Sequence, residues 1–386
     1  MAKSKAYVSS VGFTRVGDHW ERSILDLAVE ASRKALAGTR VRPQLIVVGN
    51  MFSSVGSGQE HLGAMLASAL GLSGVAAYKV EAACSSGATA FNVAFNLVRS
   101  HAVDSALVVG VEKMRDLEPE EVSQALSMAE SAEYTQFVGA TFASLNGLLA
   151  RYYMEKEGVT RDELSAIPVL DHLNAVSAEH AQFRKAISPE VVGRSSMVAD
   201  PLRLFDCAPV GDGAAAALVV GDGGASRTKK GLMEVMGAKV STAEFSMYER
   251  DDMLDFRATR AAFEGAVKDS GVPRKKIDAL EIHDAFSVVG ALSLEAMGFS
   301  KRGMGAKDAK AGKFSRGSEI PINTFGGLKA RGHPVGATGM YQIAEAYMQL
   351  TDSAGKNQVE GAEHVLTQNV GGVDTTSAVH VFGRAA

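Results

Sequence analysis

Cys84 and His333 are the two side chains whose types and settings could carry covalent chemistry. Cys84 follows the strand-like run Val80–Ala83 and precedes the small residues Ser85–Thr89. This pattern puts it at a strand-to-helix turn, where free backbone N–H groups and the positive end of the helix dipole favour a thiolate. Small neighbours leave room for a ligand. A lone cysteine is more often a small buried hydrophobe, so Cys84 needs partners to count as a nucleophile. His333 lies in Asn323–Gly339, a segment with five glycines. Held between Gly332 and Pro334, a neutral imidazole suits a general base for a thiol proton. The glycines could cradle phosphate, but the Gly-Lys-Ser/Thr ending of a phosphate loop is missing. His283 ends the apolar run Ile277–Ile282, where parallel-sheet proteins place ligand-facing residues. It could donate to a thioester oxygen, or it could pair with Asp284 only to close a loop. Gly371, in the turn Asn369–Gly372 between two strand-like runs, offers a backbone N–H for an oxyanion hole.

Other candidates are weaker. His172 and His180 stand eight apart with no carboxylate at metal-site spacing, so a metal is not expected. Cys207, in the run Asp206–Ala215 before an apolar strand, reads as structural. Arg184 and Lys185 offer cations that could meet the phosphates of a ligand, or they simply end a solvated helix. With 40 Lys+Arg against 44 Asp+Glu, the formal charge of −4 argues against a nucleic-acid partner. Two distant cysteines make no disulfide framework, which fits a reduced, cytoplasmic setting. No secretory signal and no apolar run of membrane-spanning length is read, so no membrane association is expected.

The elements that must position these residues occur twice in the same order. Ile24–Gly38 reads as a helix, then Leu45–Gly49 as a buried strand ending at Asn50. Thr259–Gly271 and Ile277–Ile282, ending at His283, repeat that order. The strand-like Tyr78–Glu81, the Cys84 turn, a helix to about Ser100 and the strand from Ser105 follow in the first half. Ile320–Asn323, the His333 turn, a helix to about Leu350 and strands near Val365 and Ala378 follow in the second. Strand–helix alternation predicts right-handed crossovers and a mostly parallel sheet covered on both faces. The fold class is α/β, with two pseudo-symmetric βαβα halves. Residues 1–115, completed by 205–225, form the first half and 226–386 the second. Residues 116–204 form an inserted lid, substrate platform or oligomerisation arm, with helices over Phe142–Gly158 and Arg161–Phe183.

Taken in order, the cysteine turn, His283-Asp284-Ala285-Phe286, Gly332-His333-Pro334 and the terminal glycine turn resemble the thiolase superfamily. Asp206–Ala215 resembles its Asp-Cys-x-Pro-x-x-Asp-Gly-Ala-Ala signature, and His283-Asp284 places the chain nearer the archaeal acetoacetyl-CoA thiolases and the sterol-carrier-type thiolases. The resemblance covers nearly the whole chain. It implies a five-layer α-β-α-β-α sandwich and an acetyl-CoA C-acetyltransferase that interconverts two acetyl-CoA with acetoacetyl-CoA and CoA. Coenzyme A thioesters would be substrates, with no separate cofactor. Cys84 would be the nucleophile and His333 its base. His283 and His333 would form one oxyanion hole, and the N–H groups of Cys84 and Gly371 the other. The family's second cysteine, an acid/base, is replaced here by Asn369 or, in the other subgroup, by Ala285. Asn369 is therefore a further catalytic candidate, with His283 or His333 as the substitute base. The resemblance also implies a homodimer or homotetramer, and in archaeal relatives a complex with hydroxymethylglutaryl-CoA synthase and a small OB-fold acyl-CoA-binding protein. Alternatives are a degradative 3-ketoacyl-CoA thiolase of longer or branched chains, and a non-catalytic scaffold or lipid carrier.

Overall fold

The computed structural model describes residues 4–226 and 231–385. Helix α1 (Ile24–Leu36) starts where the sequence allows it. Ser23 accepts from Asp26 N at 3.1 Å, Asp26 accepts back from Ser23 N, and Arg33 and Lys34 face the negative end of the dipole. Ile24, Leu27, Ala28, Ala31 and Ala35 are its buried stripe. Helix α2 (Leu62–Ala69) lies with it on the outer face of the first half.

Five strands make the first half: β1 (Ala6–Phe13), β2 (Leu45–Gly49), β3 (Ala76–Val80), β4 (Ser105–Glu112) and β5 (Gly213–Gly221). Four make the second: β6 (Met233–Thr242), β7 (Ala279–Glu281), β8 (His364–Gly371) and β9 (Thr376–Arg384). The hydrogen-bonded order is β3-β2-β4-β5-β1-β6-β9-β8-β7. A parallel bridge from Leu280 to Ile322 adds a rudimentary tenth strand at the far edge. Read outward from the middle, each half repeats the other. In the sheet, among the described residues, the pairs Tyr7 with Glu234 and Val8 with Met233 join them.

The sheet is mixed, which corrects the mostly parallel expectation. β2 pairs parallel to β3 and β4, and β7 to β8, but β5, β9 and the β1–β6 seam pair antiparallel. The physical reason is connection type. β8 and β9 are joined by a tight turn, and the long insertion returns the chain into β5, so neither link is a helical crossover.

Helices α3 (Ser86–Arg99) and α8 (Thr338–Leu350) lie between the two halves. Phe91, Phe95, Met340, Tyr341 and Ile343 share one core with inward side chains of both halves, such as Val47, Val108, Val219, Val235 and Phe382. Being covered on every side, α8 is buried nearly all round. Two of its glutamines donate into the core: Gln342 to Glu281 O and Gln368 O, and Gln349 to Thr324 Oγ1 and Asn357 O. Helices α6 (Arg257–Ser270) and α7 (Ser287–Ala296) cover the outer face of the second half. The layers thus run α1/α2, first-half strands, α3/α8, second-half strands, α6/α7.

The insertion between β4 and β5 carries α4 (Phe142–Glu157) and α5 (Ala166–Ala175). The helix expected through Phe183 stops at Ala175, beyond which the chain turns back to pair Gln182 N and Phe183 N with Arg331 O and Ala330 O. That pairing docks the insertion on the His333 segment.

Candidate active site

Cys84 sits between β3 and α3 on a bent turn. Ala83 before it has φ of 50°, a left-handed conformation that an alanine adopts only when its surroundings force it. Three contacts do the forcing. Ser86 Oγ accepts from Ala82 N at 2.9 Å and donates to Ala83 O at 2.6 Å, and Glu81 accepts from Ala83 N at 2.6 Å. The thiol is 3% exposed, packed beside Phe52, Met114, Val122 and Val335. Burial, with Glu112 as a second cause, pushes it up to about 12. This corrects the expected thiolate: loss of water outweighs the favourable backbone N–H groups, so the resting group is a neutral thiol.

The glycine turn presses against the cysteine turn. A Cβ at Gly371 would stand 2.2 Å from Ala82 O, so only glycine lets the two backbones meet. Ser85 Oγ also reaches Asn369 O at 3.4 Å. Asp374 holds the far side of the turn by accepting from Ala258 N and Thr259 N, both at 3.0 Å, at the start of α6.

His283 leaves the end of β7 and is 3% exposed. Gln368 accepts from its backbone N–H at 2.9 Å, and Asn369 Nδ2 donates to its Nδ1 at 3.0 Å. Burial brings the imidazole down to about 3, so it is neutral. Asp284 does not bond the ring; its Oδ1 accepts from Leu328 N at 2.8 Å and so ties β7 to the His333 segment. Lys329 strengthens that tie by donating to Asp206 O and Asp284 O, both at 2.6 Å.

His333 is 7% exposed, and its ring centroid lies 5.2 Å from that of His283 at 84°. Its Nδ1 is 2.7 Å from Thr338 Oγ1, the first residue of α8. Burial first, and the neighbouring His283 second, hold it well below the usual histidine range. The segment around it is clamped by Glu112, which is fully buried at the end of β4. Glu112 accepts from Asn50 Nδ2 at 2.6 Å, Met51 N at 2.9 Å, Phe52 N at 3.0 Å and Gly336 N at 2.9 Å. Burial raises this carboxyl to about 7, while the backbone N–H donors pull the other way.

Family models match almost the whole chain: "Thiolase, N-terminal domain" over residues 6–222 and "Thiolase C-terminal domain-like" over residues 238–384. The chain belongs to the thiolase family. It is an acyltransferase of the thiolase type. This thiolase is 38% identical to the acetyl-CoA acetyltransferase of Methanothermobacter thermautotrophicus, covering 98% of this chain and 99% of that one. It is 30% identical to sterol carrier protein 2 of Bos taurus over 96% of this chain and 70% of that one. Among solved structures, the Ltp2-ChsH2(DUF35) aldolase shares the fold with a TM-score of 0.85 at 22% identity, covering 98% of both chains. Human mitochondrial 3-ketoacyl-CoA thiolase in complex with CoA does so with a TM-score of 0.74 at 16% identity, covering 99% of this chain and 98% of that one.

In this thiolase the structure packs His283 against His333 and Asn369, and Gly371 against the turn that carries Cys84. Arg184 and Lys185 stand apart. Both are exposed; Arg184 lines a surface cavity of ≈ 580 Å³ with His180, Phe325 and Lys356, and Lys185 is tied through its carbonyl to His172. Cys207 is half-buried, bridged to Phe286 and pushed up to about 12 by burial. The two aspartates of its signature are structural. Asp206 accepts from Ser287 Oγ and Arg203 N, and Asp212 from Lys113 Nζ, Met114 N and Arg115 N. Among the described residues no group of three or more His, Cys, Asp and Glu could hold a metal ion, and no helix is long and apolar enough to cross a membrane. Sequence reasoning missed Thr338, Glu112 and Gln368. Thr338 had one signal, a hydroxyl at the helix start five residues after His333. Glu112 and Gln368 had none, because a polar residue ending an apolar strand has many uses.

Proposed function

We propose that this chain is an acetyl-CoA acetyltransferase, interconverting two acetyl-CoA with acetoacetyl-CoA and CoA through an acetyl-Cys84 intermediate. The reading is carried by the convergence of Cys84, His283, His333 and Gly371 in a chain 38% identical, end to end, to a protein of that name. Cys84 attacks the thioester carbon as His333 takes the thiol proton. The backbone N–H groups of Cys84 and Gly371 receive the oxygen of the acyl-enzyme, and the two histidines line the place of the second thioester's oxygen. Covalent catalysis splits one hard displacement into two easier ones. Each well-placed oxyanion donor contributes roughly 3 kcal/mol.

Coenzyme A thioesters are substrates in this scheme and no further cofactor enters it. Residues 116–204 act as the substrate-side platform on the halves 1–115 with 205–225 and 226–386. The working unit is a cytoplasmic homodimer or homotetramer. A complex with hydroxymethylglutaryl-CoA synthase and an OB-fold acyl-CoA-binding protein belongs to the same reading. The 30% identity to sterol carrier protein 2 favours a second reading, thiolysis of longer or branched 3-ketoacyl-CoA. A chain-length series of 3-ketoacyl-CoA substrates decides between the two.

The test of the main reading is direct. Incubation with acetyl-CoA should leave one acetyl group on Cys84, seen by intact mass and peptide mapping. Cys84→Ala should lose the adduct and lower acetoacetyl-CoA thiolysis by at least ~10⁴-fold. An unlabelled Cys84, or a Cys84→Ala protein that still cleaves acetoacetyl-CoA, rejects the mechanism.

A further inference from the structure

The contacts behind the two histidines favour opposite positions for their protons. A hydroxyl has one proton. Thr338 Oγ1 donates it to Pro334 O at 3.1 Å, so it accepts from His333 Nδ1 at 2.7 Å. His333 therefore carries its proton on Nδ1, and Nε2 holds a free lone pair. At His283 the sense reverses. The Asn369 amide nitrogen, 3.0 Å from Nδ1, can only donate. Nδ1 of His283 therefore accepts, and Nε2 carries the proton. The two rings stand nearly perpendicular, one offering an acceptor and the other a donor. Asn369 occupies the place where the second cysteine was expected; its amide nitrogen is committed to His283, and its buried Oδ1 has no hydrogen-bond partner among the described residues.

We propose that His333 is the only base of the whole cycle, that His283 serves solely as a hydrogen-bond donor, and that Thr338 and Asn369 are the positioning residues that impose these two roles. The proposal rests on the acyl-transfer reading above and specifies which group moves the protons. In the first half-reaction the Sγ–H bond of Cys84 breaks, the proton goes to His333 Nε2, and sulfur bonds to the thioester carbon. The bond from that carbon to the CoA sulfur then breaks, and the CoA thiolate takes the proton from Nε2 and leaves as a thiol. In the second half-reaction Nε2 removes an α-proton from the incoming acetyl-CoA, whose carbonyl oxygen is held by His283 Nε2–H. The enolate carbon bonds to the acetyl carbon on Cys84, the bond from that carbon to Sγ breaks, and the departing thiolate recovers the proton from Nε2. Each proton that His333 accepts it returns, so the cycle closes with no second acid/base. Burial supports the scheme by holding both rings neutral at rest.

The experiment is α-proton exchange of acetyl-CoA in D₂O, followed by mass spectrometry, in Cys84→Ala protein. That protein cannot form the acyl-enzyme but keeps both histidines. Exchange is expected in Cys84→Ala and should drop by at least ~10²-fold when His333→Asn is added. Exchange that survives His333→Asn but vanishes with His283→Asn overturns the proposal. So does an absence of exchange in Cys84→Ala protein that still binds acetyl-CoA. The proton senses are tested with conservative variants in otherwise unaltered protein. Asn369→Asp accepts from His283 Nδ1 and forces the wrong sense on that ring. It should acetylate Cys84 at near the normal rate while condensation falls by ~10²–10³-fold. Thr338→Val should slow both half-reactions, and Thr338→Ser should restore both. Equal loss of both half-reactions in Asn369→Asp overturns the assignment. Acetoacetyl-CoA cleavage by the unaltered protein is measured alongside. If that cleavage is absent, the function reading itself fails; if it is present while exchange follows His283, only the base assignment fails.

Discussion

Cys84 and His333 each sit in a setting that suppresses charge. The thiol is pushed up to about 12 and the imidazole is held well below its ordinary range, so the resting pair is neutral. The consequence for pH has a definite sign. A base is disabled when it takes a proton from solvent, and burial moves that event to lower pH. Acetoacetyl-CoA thiolysis should therefore show a flat kcat/KM between about pH 6 and 7, with no acid limb near the ordinary histidine value of about 6.5. A limb centred there, measured with a pH-stable assay, would contradict the burial argument. Cys84, the proposed nucleophile, and the two histidines could be singled out in the sequence because each lies at a strand end or helix start, flanked by small residues or glycine. Their protonation was not legible. The helix-dipole argument gave the wrong charge for Cys84, since it counts the favourable N–H groups and omits the lost water.

At the scale of elements, the site is a set of turns pressed together by glycines and buried carboxylates. Gly371 is the tightest of these contacts. Gly371→Ala would drive a methyl group into Ala82 O and move either the oxyanion N–H or the cysteine turn. Misplacement near 1 Å costs about 10²-fold in rate, so thiolysis should fall by at least that much. The thermal midpoint of the variant, measured alongside, separates this local effect from unfolding. Helices α1, α3, α6 and α8 and strands β2, β4, β8 and β9 were legible from apolar spacing and glycine stops. Strand direction was not, because alternation of helix and strand predicts parallel pairing wherever a crossover exists and says nothing where a turn or an insertion replaces it. The end of α5 was missed for a related reason. Val176–Phe183 keeps an apolar rhythm, but it runs through local turns and its end, Gln182 and Phe183, pairs with Arg331 and Ala330 instead of continuing the helix.

The whole molecule buries an unusual set of ionisable groups in its centre. His380, in β9, is 0% exposed, stacks on Phe382, meets Phe91 edge-on, and is brought down to about 3 by burial. In the unfolded chain it titrates near 6.5. Its folded value is depressed, so its contribution to stability is intact above about pH 6.5 and is lost as pH falls toward 3. The slope is roughly 1.4 kcal/mol per pH unit for one such group. His380→Phe keeps the ring contacts and removes the titration. Its thermal midpoint should fall less than that of the unaltered protein between pH 6.5 and 4, and an identical fall would show that this histidine does not set the acid response. The sequence could not rank His380 in this way, since its burial comes from the stacking of two half-sheets on shared helices.

The near-repetition of the halves has a consequence for where the chemistry resides. Strand β4 ends in Glu112, which grips the entrance of α8, and strand β8 ends in Gly371, which grips the entrance of α3. Asn50, beyond β2, corresponds to His283, beyond β7. Two related helix entrances therefore face each other. In the proposed reaction one presents the nucleophile and the other the base, each braced by the opposite half. The amino-terminal half alone would hold a thiol with nothing to take its proton, and the carboxyl-terminal half a base with nothing to activate. Acyl transfer belongs to the union of two unequal siblings, much as a shared site belongs to both members of a dimer.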